Sequence, residues 1–152
     1  QSVTRNIVLS ALPKLSRAGF LRQRQERRAA APVADAVQVA PLLDRIMSSL
    51  SGGNQQRGLI GRLLMTGADT IVLEDPTLGV DVAARAAIHD LLKGVVASGR
   101  SCVVGSSEPE ELALLCNRVL IFRSGQLVQE LTGEEVTERR IIQGITSHEK
   151  VS

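Results

Sequence analysis

The spacing of apolar residues changes near residue 50, and this change divides the chain into two stretches. In the first stretch, apolar positions recur at helical spacing. We expect a short helix that Ser2 caps and Pro13 ends, since proline lacks the N–H that a helix interior needs. A second helix is predicted from Leu21 to Val39, with a kink or a break at Pro32. The first fifty residues are therefore predicted to be helical.

Beyond residue 50, short apolar runs alternate with longer helical ones, as is typical of α/β chains. Three runs lack polar alternation, which predicts strands buried on both faces: Thr70 to Leu73, Ser101 to Val104 and Val119 to Phe122. Between the first two lies a stretch of helical periodicity from Val82 to Ser98, with Gly99 where a C-terminal cap belongs. This order predicts a parallel strand–helix–strand crossover.

The end of the chain predicts a hairpin and a last helix. A turn from Arg123 to Gln126 leads into the apolar run Leu127 to Leu131, which predicts an antiparallel edge hairpin. Thr132 and Glu135 have the spacing of a capping box and predict a helix that runs through Ile145. The fold class that follows is α/β, with a helical part followed by a mainly parallel sheet flanked by helices.

Composition excludes several classes of function. The 152 residues carry a net charge of +2 and no Trp or Tyr, which argues against a nucleic-acid binder that stacks bases on aromatic side chains. Cys102 and Cys116 lie inside apolar runs, and no CxxC or Cys/His cluster suggests a metal site, so a reducing setting fits both. His89 is placed on the polar side of its predicted helix and is not a ligand candidate. No apolar run approaches the roughly 20 residues that span a bilayer.

A basic stretch within the first thirty residues includes Lys14, Arg17, Arg22, Arg24, Arg27 and Arg28. Spread over a predicted helix, these charges indicate a solvated face rather than a binding site for lipid phosphates or nucleic acid.

Candidate chemistry begins at the segment Leu-Ser-Gly-Gly-Asn-Gln-Gln, residues 50–56, directly ahead of a predicted helix. Two glycines after Ser51 leave backbone N–H groups uncovered, and the helix dipole adds positive potential, so this terminus favours an anion such as phosphate. Taken alone, Ser-Gly-Gly is better explained by an ordinary N-cap with a flexible approach.

A second candidate lies at residues 71–81, where an apolar strand ends in Glu74 and Asp75 and Asp81 follows. Carboxylates at the C-terminal end of a parallel strand lie where α/β sheets bind ligands, and they suit Mg²⁺ coordination and water activation. The alternative is that both strand-end carboxylates are simply solvated and that Asp81 caps the next helix.

In their order and spacing these segments resemble the ATP-binding-cassette (ABC) family. Residues 50–56 resemble its signature motif in the form typical of the sugar-importer branch, the Glu74–Asp75 strand resembles its Walker B element, and Asp81 matches its D-loop aspartate. Ser106–Ser107 occupies the position of the switch residue, and Gly125 to Val128 matches the hairpin that follows. The resemblance covers nearly the whole chain.

The resemblance implies roles for individual residues. Glu74 corresponds to the metal-binding and Asp75 to the water-activating position, and Ser107 is the third residue of the catalytic group. Residues expected at ATP are Leu50, Ser51, Gly52, Gly53, Asn54, Gln55 and Asp81. The expected ligands are ATP and Mg²⁺.

Three departures from the family pattern qualify these roles. The sequence contains no GxxxxGK[ST] phosphate loop, so we expect a portion that starts just after the Q-loop region and does not hydrolyse ATP alone. The family has Asp then Glu where this chain has Glu74 then Asp75, which withdraws the base by about 1.5 Å and can cost on the order of 100-fold in rate. Ser107 stands where the family has histidine; with Glu110 three residues on, it also fits a helix N-cap.

In this family two cassettes face each other, and each ATP lies between the phosphate loop of one and the signature of the other. The resemblance therefore implies an intact signature that serves a partner cassette beside a degenerate site of its own. Residues 1–50 would belong to the helical subdomain and residues 51–152 to the ATPase core of a second cassette. Implied partners are that second cassette, membrane permease subunits and, indirectly, a solute-binding protein, with the ATPase on the cytoplasmic face of the membrane.

Two other functions remain open. One is a non-transport ABC ATPase of DNA repair or translation, for which a coiled-coil insertion or a strongly basic extension would be expected. The other is a nucleotide-binding regulatory module without turnover.

Overall fold

The computed structural model describes residues 1–15 and 22–147. Its helices and strands are, in chain order, α1 Val3–Val8, α2 Leu12–Leu15, α3 Gln23–Ala36, α4 Gly52–Leu64, β1 Thr70–Glu74, α5 Val82–Ala97, β2 Ser101–Gly105, α6 Pro109–Leu115, β3 Arg118–Arg123, β4 Gln126–Thr132 and α7 Glu138–Thr146. The predicted α/β class is confirmed. Within the described ranges, none of the helices combines the length and the apolar character needed to span a bilayer.

The chain forms two compact units. The first unit holds Gln1–Ile71 and Pro76–Val103, and the second holds Val72–Asp75 and the chain from Val104 onward. The chain thus enters the second unit inside β1, returns to the first unit after Asp75 and enters the second unit again inside β2.

The N-terminal helices differ in detail from the prediction. Ser2 caps α1 as expected, since its Oγ accepts a hydrogen bond from the backbone N–H of Arg5 at 3.3 Å. However, Pro13 lies in the first turn of α2, where its missing N–H has no intrahelical acceptor to lose. Pro32 lies inside α3 without ending it. The predicted start of that helix at Leu21, and Arg17 of the basic stretch, lie outside the described residues.

In the first unit α1 packs against α3 and α4, and its apolar side is fully buried at Val3, Ile7 and Val8. Close approach of α4 is possible because Gly61 has no side chain: a Cβ there would lie 3.2 Å from Val37 Cγ2. Apolar burial at this interface stabilises the helical unit and fixes the direction in which α4 runs.

Strands β1 and β2 pair with each other in a two-stranded sheet. Hydrogen bonds from Ser101 N to Asp69 O and from Asp75 N to Gly105 O, both 2.8 Å, follow the same order along the two strands, as a parallel pair requires. The prediction that these strands are buried on both faces is wrong for the described residues, since Val72 is 70% and Val103 is 53% exposed.

Helix α5 connects these strands and carries two predicted caps. Its N-cap is Asp81, and Gly99, just beyond its end, has φ = +90°, a left-handed conformation that glycine adopts without strain. His89 is only 6% exposed, so its assignment to a polar face was wrong. The apolar periodicity of α5 did not reveal that this histidine lies on the packed side.

The second unit is built on the predicted antiparallel hairpin of β3 and β4. Its turn has positive φ at both Ser124 and Gly125, the pattern of a type I′ turn. The core of the unit contains Val119 and Ile121 of β3, Leu131 of β4 and Ile141 of α7. The four strands of the described ranges therefore lie in two small sheets, β1–β2 and β3–β4.

The predicted capping box at Thr132 is wrong. Thr132 is the last residue of β4 and makes no capping hydrogen bond, and a 3-10 turn at Gly133–Glu135 follows it. The last helix begins at Glu138 instead, where Thr137 Oγ1 accepts from Arg140 N at 3.3 Å. Strand pairing with β3 holds Thr132 in extended backbone, which overrides the local capping signal.

Candidate functional site

The start of α4 presents Ser51 at its N-cap position with the extended backbone that a cap needs. Its side chain nevertheless makes no capping hydrogen bond, and the residue is exposed. An ordinary serine cap therefore does not explain this segment. Gln55, one turn on, donates from Nε2 to the carbonyl oxygen of Leu50 at 2.8 Å and holds the approach to the helix.

Glycine is required at the second position of α4 because the first turn of α5 lies very close. A Cβ on Gly53 would lie 2.5 Å from Ala84 Cβ, whereas a Cβ on Gly52 would lie at an ordinary contact distance, 3.4 Å, from the carbonyl oxygen of Gly79. Separations below about 3.5 Å between carbon atoms are repulsive. The first turn of α4 is therefore packed against the loop that follows β1 and against the first turn of α5.

That loop is rigidly built. Pro76 and Thr77 are fully buried, and Val80 N donates to Thr77 O at 3.3 Å across a turn in which Gly79 has φ = +73°. Asp81 caps α5, since its Oδ1 accepts from the N–H of Ala84 at 2.8 Å. The alternative assignment of Asp81 as a helix cap is thereby confirmed.

The loop also exposes apolar side chains on either side of Asp81. Leu78 is 67% and Val82 is 84% exposed. Burial of these two side chains against another surface would be favourable, by roughly 25 cal/mol for each Å² removed from water.

The two strand-end carboxylates have different surroundings. Glu74 is exposed at the end of β1. Asp75 is half-buried, and its Oδ1 accepts two hydrogen bonds from Ser107, one from the backbone N–H at 2.8 Å and one from Oγ at 3.1 Å. The structure therefore joins two of the residues that the sequence predicted to act together.

Ser107 does not cap the following helix, contrary to the N-cap interpretation. Glu108 occupies the N-cap position of α6 and Pro109 its first position. Ser106 instead stabilises this approach, because its Oγ accepts from Glu108 N at 3.1 Å. With Pro109 starting the helix, the side chain of Ser107 is left to reach Asp75.

These contacts limit what Asp75 can do chemically. A carboxylate oxygen offers about two lone pairs, and the two donors of Ser107 use both of those on Oδ1. Only Oδ2 remains to accept a proton from water. A serine hydroxyl also has no imidazole-like proton chemistry with which to assist.

The residues suited to phosphate binding and the residue suited to metal binding lie in different units. In the first unit, the start of α4 combines exposed Ser51 with side-chain-free Gly52, as an anion cradle needs. In the second unit, Glu74 offers an exposed carboxylate, and Mg²⁺ is commonly held by one or two carboxylates together with substrate phosphates. No cluster of three or more His, Cys, Asp or Glu side chains suited to a metal occurs in residues 1–15 and 22–147.

Sequence reasoning missed the contact between α4 and the loop after β1. Gly79 and Ala84 were not singled out, although Gly79 belongs to the segment, residues 71–81, that was already chosen for its carboxylates. The available signal was the repeated use of small residues, Gly52 and Gly53 facing Gly79 and Ala84, which is what closely approaching backbones require.

Cys102, on β2, is half-buried, and burial raises the pKa of its thiol above the ordinary value. Raised thiol pKa values disfavour the reactive thiolate. Cys102 is therefore not part of the candidate site.

Comparison with known sequences finds relatives over nearly the whole chain, although no protein-family model matches it. The chain is 38% identical over 143 residues to a ribose/galactose/methyl galactoside import ATP-binding protein of Geobacillus kaustophilus, covering 93% of this chain and 28% of that protein. A similarly described protein of Agrobacterium fabrum is 39% identical over 97% of this chain and 30% of its own length. A ribose import ATP-binding protein of Roseobacter denitrificans is 33% identical over 92% of this chain.

Solved structures agree on the fold. An inward-facing ABC transporter of the metal-chelate type superimposes with a TM-score of 0.81 at 20% identity, over 95% of this chain and 58% of that one. An ATP-binding cassette in its ADP conformation gives a TM-score of 0.75 at 20% identity, over 97% and 59%. The fold is that of an ABC ATPase cassette, and the chain spans less than a third of the length of the curated relatives it matches.

Proposed function

We propose, from the premise that this chain is a homologue of the ATP-binding-cassette ATPases in sequence and in fold, that it serves as part of the ATP-hydrolysing subunit of a sugar importer. The importer would take up ribose, galactose or a related sugar, as the names of the relatives suggest. The chain would be the C-terminal part of a second cassette, with residues 1–50 in its helical subdomain and residues 51–152 in its ATPase core.

The observation that carries the proposal is the exposed start of α4. Ser51 is exposed and makes no capping bond, Gly52 leaves the backbone open, and the helix dipole points its positive end at that place. This arrangement suits the terminal phosphates of an ATP molecule held by a partner cassette. Leu50, Asn54 and Gln55 would shape the same contact, with Gln55 acting through its bond to Leu50.

A partner cassette also suits the surface beside that helix start. Leu78 and Val82 expose apolar side chains on the loop that carries Asp81, and Gly52 and Gly53 hold this loop against α4. A facing cassette that covers the loop would bury this apolar area. It would also bring the phosphates of its bound ATP to Ser51. Asp81 would keep the loop in shape through its cap on α5 rather than act as a ligand.

The chain's own ATP site is proposed to bind nucleotide and Mg²⁺ but to turn over slowly. Glu74 would hold the metal, which neutralises phosphate charge when bound. Asp75 would be a poor base because Ser107 occupies its Oδ1. An importer built in this way hydrolyses ATP at one of its two sites.

Membrane association would come through permease subunits, with the ATPase on the cytoplasmic face and a solute-binding protein supplying sugar on the other side. No nucleic acid is required by this arrangement.

The test is steady-state ATP hydrolysis by the assembled transporter that contains this chain. Ser51→Arg places a long cation at the start of α4, and we expect it to lower turnover roughly 100-fold, as the loss of a transition-state contact does. Ser48→Arg is the matched control, since Ser48 is exposed in the preceding 3-10 turn, and it should leave turnover within about twofold.

Asp75→Asn separates the two sites. It preserves shape and the acceptor oxygen for Ser107 while removing the charge, and we expect turnover to stay within about twofold of the unmodified protein. If Asp75→Asn abolished turnover while Ser51→Arg did not, the hydrolytic site would be the chain's own. The proposed asymmetry would then be reversed.

A further inference from the structure

Met47 begins the 3-10 turn Met47–Ser49, which leads through Leu50 to the start of α4. Its side chain is half-buried and lies directly against Gly58 in the middle of that helix. A Cβ on Gly58 would overlap Met47 Cε and would lie 3.1 Å from Met47 Sδ. Met47 therefore joins the segment ahead of Ser51 to the body of the helix that follows it.

The presence of glycine at position 58 is explained by this contact. Gly58 is buried in the interior of α4, where glycine is less favourable than alanine because it loses more backbone freedom on folding. Methionine is suited to the space that a side chain at this position would fill, since its unbranched chain and polarizable sulfur adapt to irregular gaps. The helix thus carries an unfavourable residue at the place where Met47 packs.

The backbone of Met47 is held on both sides. Its N–H donates to Gln1 O at 3.0 Å, and its carbonyl oxygen accepts from Leu50 N at 3.2 Å. Ile46, directly before it, forms an antiparallel bridge with Ser2. A shift of Met47 would therefore be passed to Leu50, the residue next to Ser51.

The other contacts of this segment reach only the first turn of α4. Ser51 O accepts from Gln55 N at 2.9 Å, and Leu50 O accepts from Gln55 Nε2 at 2.8 Å. Ser51 itself is exposed and makes no capping bond. We propose, on the basis of the function proposed above, that Met47 is a positioning residue, whose packing on Gly58 sets where Leu50 and Ser51 meet the ATP phosphates of a partner cassette.

Met47→Ala tests this role in steady-state ATP hydrolysis by the assembled transporter. Removal of the contact lets Ser51 move, and we expect kcat to fall roughly tenfold, since misplacement by about 1 Å can cost up to about 100-fold. Met65→Ala is the matched control, because Met65 is also half-buried and lies at the other end of α4, and kcat should stay within about twofold. Met47→Leu conserves apolar volume and should keep at least about half of the turnover.

Gly58→Ala separates positioning from folding. The added methyl group displaces the end of the Met47 side chain, so kcat should fall roughly tenfold. The urea midpoint should be unchanged or higher, because alanine favours the helix. Gly94→Ala, where the added Cβ meets nothing within 4 Å, should leave kcat unchanged. A Gly58→Ala transporter that is as stable and as active as the unmodified one would overturn the positioning role, and this variant decides the matter if Met47→Ala does not assemble.

The double variant Met47→Ala with Gly58→Ala removes one contact from both sides, so its loss should stay near tenfold. Independent effects would multiply to about 100-fold and would contradict a shared contact.

Ser51→Arg, measured in parallel, distinguishes this inference from the proposed function. If Ser51→Arg lowers turnover while Met47→Ala and Gly58→Ala remain within about twofold of the unmodified protein, the positioning role fails and the proposed function stands. If Ser51→Arg leaves turnover intact, both fail.

Discussion

Substitution of Gly53 by alanine tests the contact that joins the start of α4 to α5. The added Cβ would lie 2.5 Å from Ala84 Cβ, more than 1 Å inside the ordinary separation of about 3.8 Å between methyl carbons. Overpacking of this kind typically costs about 1–3 kcal/mol. Helix propensity returns less than about 1 kcal/mol of that cost, because Gly53 is only the second residue of the helix. We expect a net loss of roughly 1–2 kcal/mol in the free energy of unfolding.

Two further variants isolate the steric cause. Gly94→Ala adds the same methyl group in the interior of α5, where nothing lies within 4 Å, and should stabilise the protein by about 0.8–1 kcal/mol. Ala84→Gly removes the atom that Gly53→Ala would strike. The double variant Gly53→Ala with Ala84→Gly should therefore be more stable than the sum of the two single changes predicts, by about 1 kcal/mol or more.

The assay is urea denaturation followed by far-UV circular dichroism, since the chain has no Trp or Tyr for fluorescence. Steady-state ATPase activity of the assembled transporter gives a second measurement. Gly53→Ala should lower turnover because it displaces Ser51, whereas Gly94→Ala should not. A Gly53→Ala protein as stable and as active as the Gly94→Ala protein would refute the close approach of α4 and α5 on which this reasoning depends.

Three further substitutions or measurements test other parts of the structure. Ser107→Ala removes the 3.1 Å hydrogen bond from Oγ to Asp75 and keeps the one from the backbone N–H. We expect the free energy of unfolding, measured by urea denaturation, to fall by about 0.5 kcal/mol and ATP turnover to stay unchanged. A loss of turnover would assign Ser107 a chemical role. Leu131→Ala in the core of the second unit should cost about 2–5 kcal/mol, whereas Leu120→Ala, 41% exposed, should cost far less. Because burial raises the pKa of Cys102, its alkylation by iodoacetamide at pH 8 should be several-fold slower in the folded protein than in urea, and equal rates would contradict that burial.

How much of this molecule could be predicted from sequence depended on whether the decisive contacts were local. Strand positions and the antiparallel hairpin with its turn from Arg123 to Gln126 followed from apolar runs and turn residues, and the alternative in which Asp81 caps α5 is confirmed. The capping signal at Thr132 failed because pairing with β3 decided that residue's backbone. No local pattern could show that Ser107 reaches Asp75, 32 residues earlier, since strand pairing of β1 with β2 brings them together.

The difference between local and non-local features also applies to the candidate site. The resemblance at residues 50–56 was visible in the sequence because its elements, a serine and two glycines before a helix, are contiguous. Left-handed residues such as Gln38, with φ = +58°, become visible only once the backbone is known.

Asp75 differs from a glutamate at the same position by more than one methylene group. Asp75 has φ = +41°, and aspartate is several-fold enriched among the non-glycine residues that adopt this region, whereas glutamate has no comparable preference. Its short side chain also matches the N–H and Oγ of Ser107, both within 3.1 Å. A glutamate would carry its carboxylate past these donors, so the shortened acid and the serine at position 107 form one matched pair. Asp75→Glu alone would therefore remove the contact with Ser107. It would not supply the imidazole-like proton chemistry that Ser107 lacks.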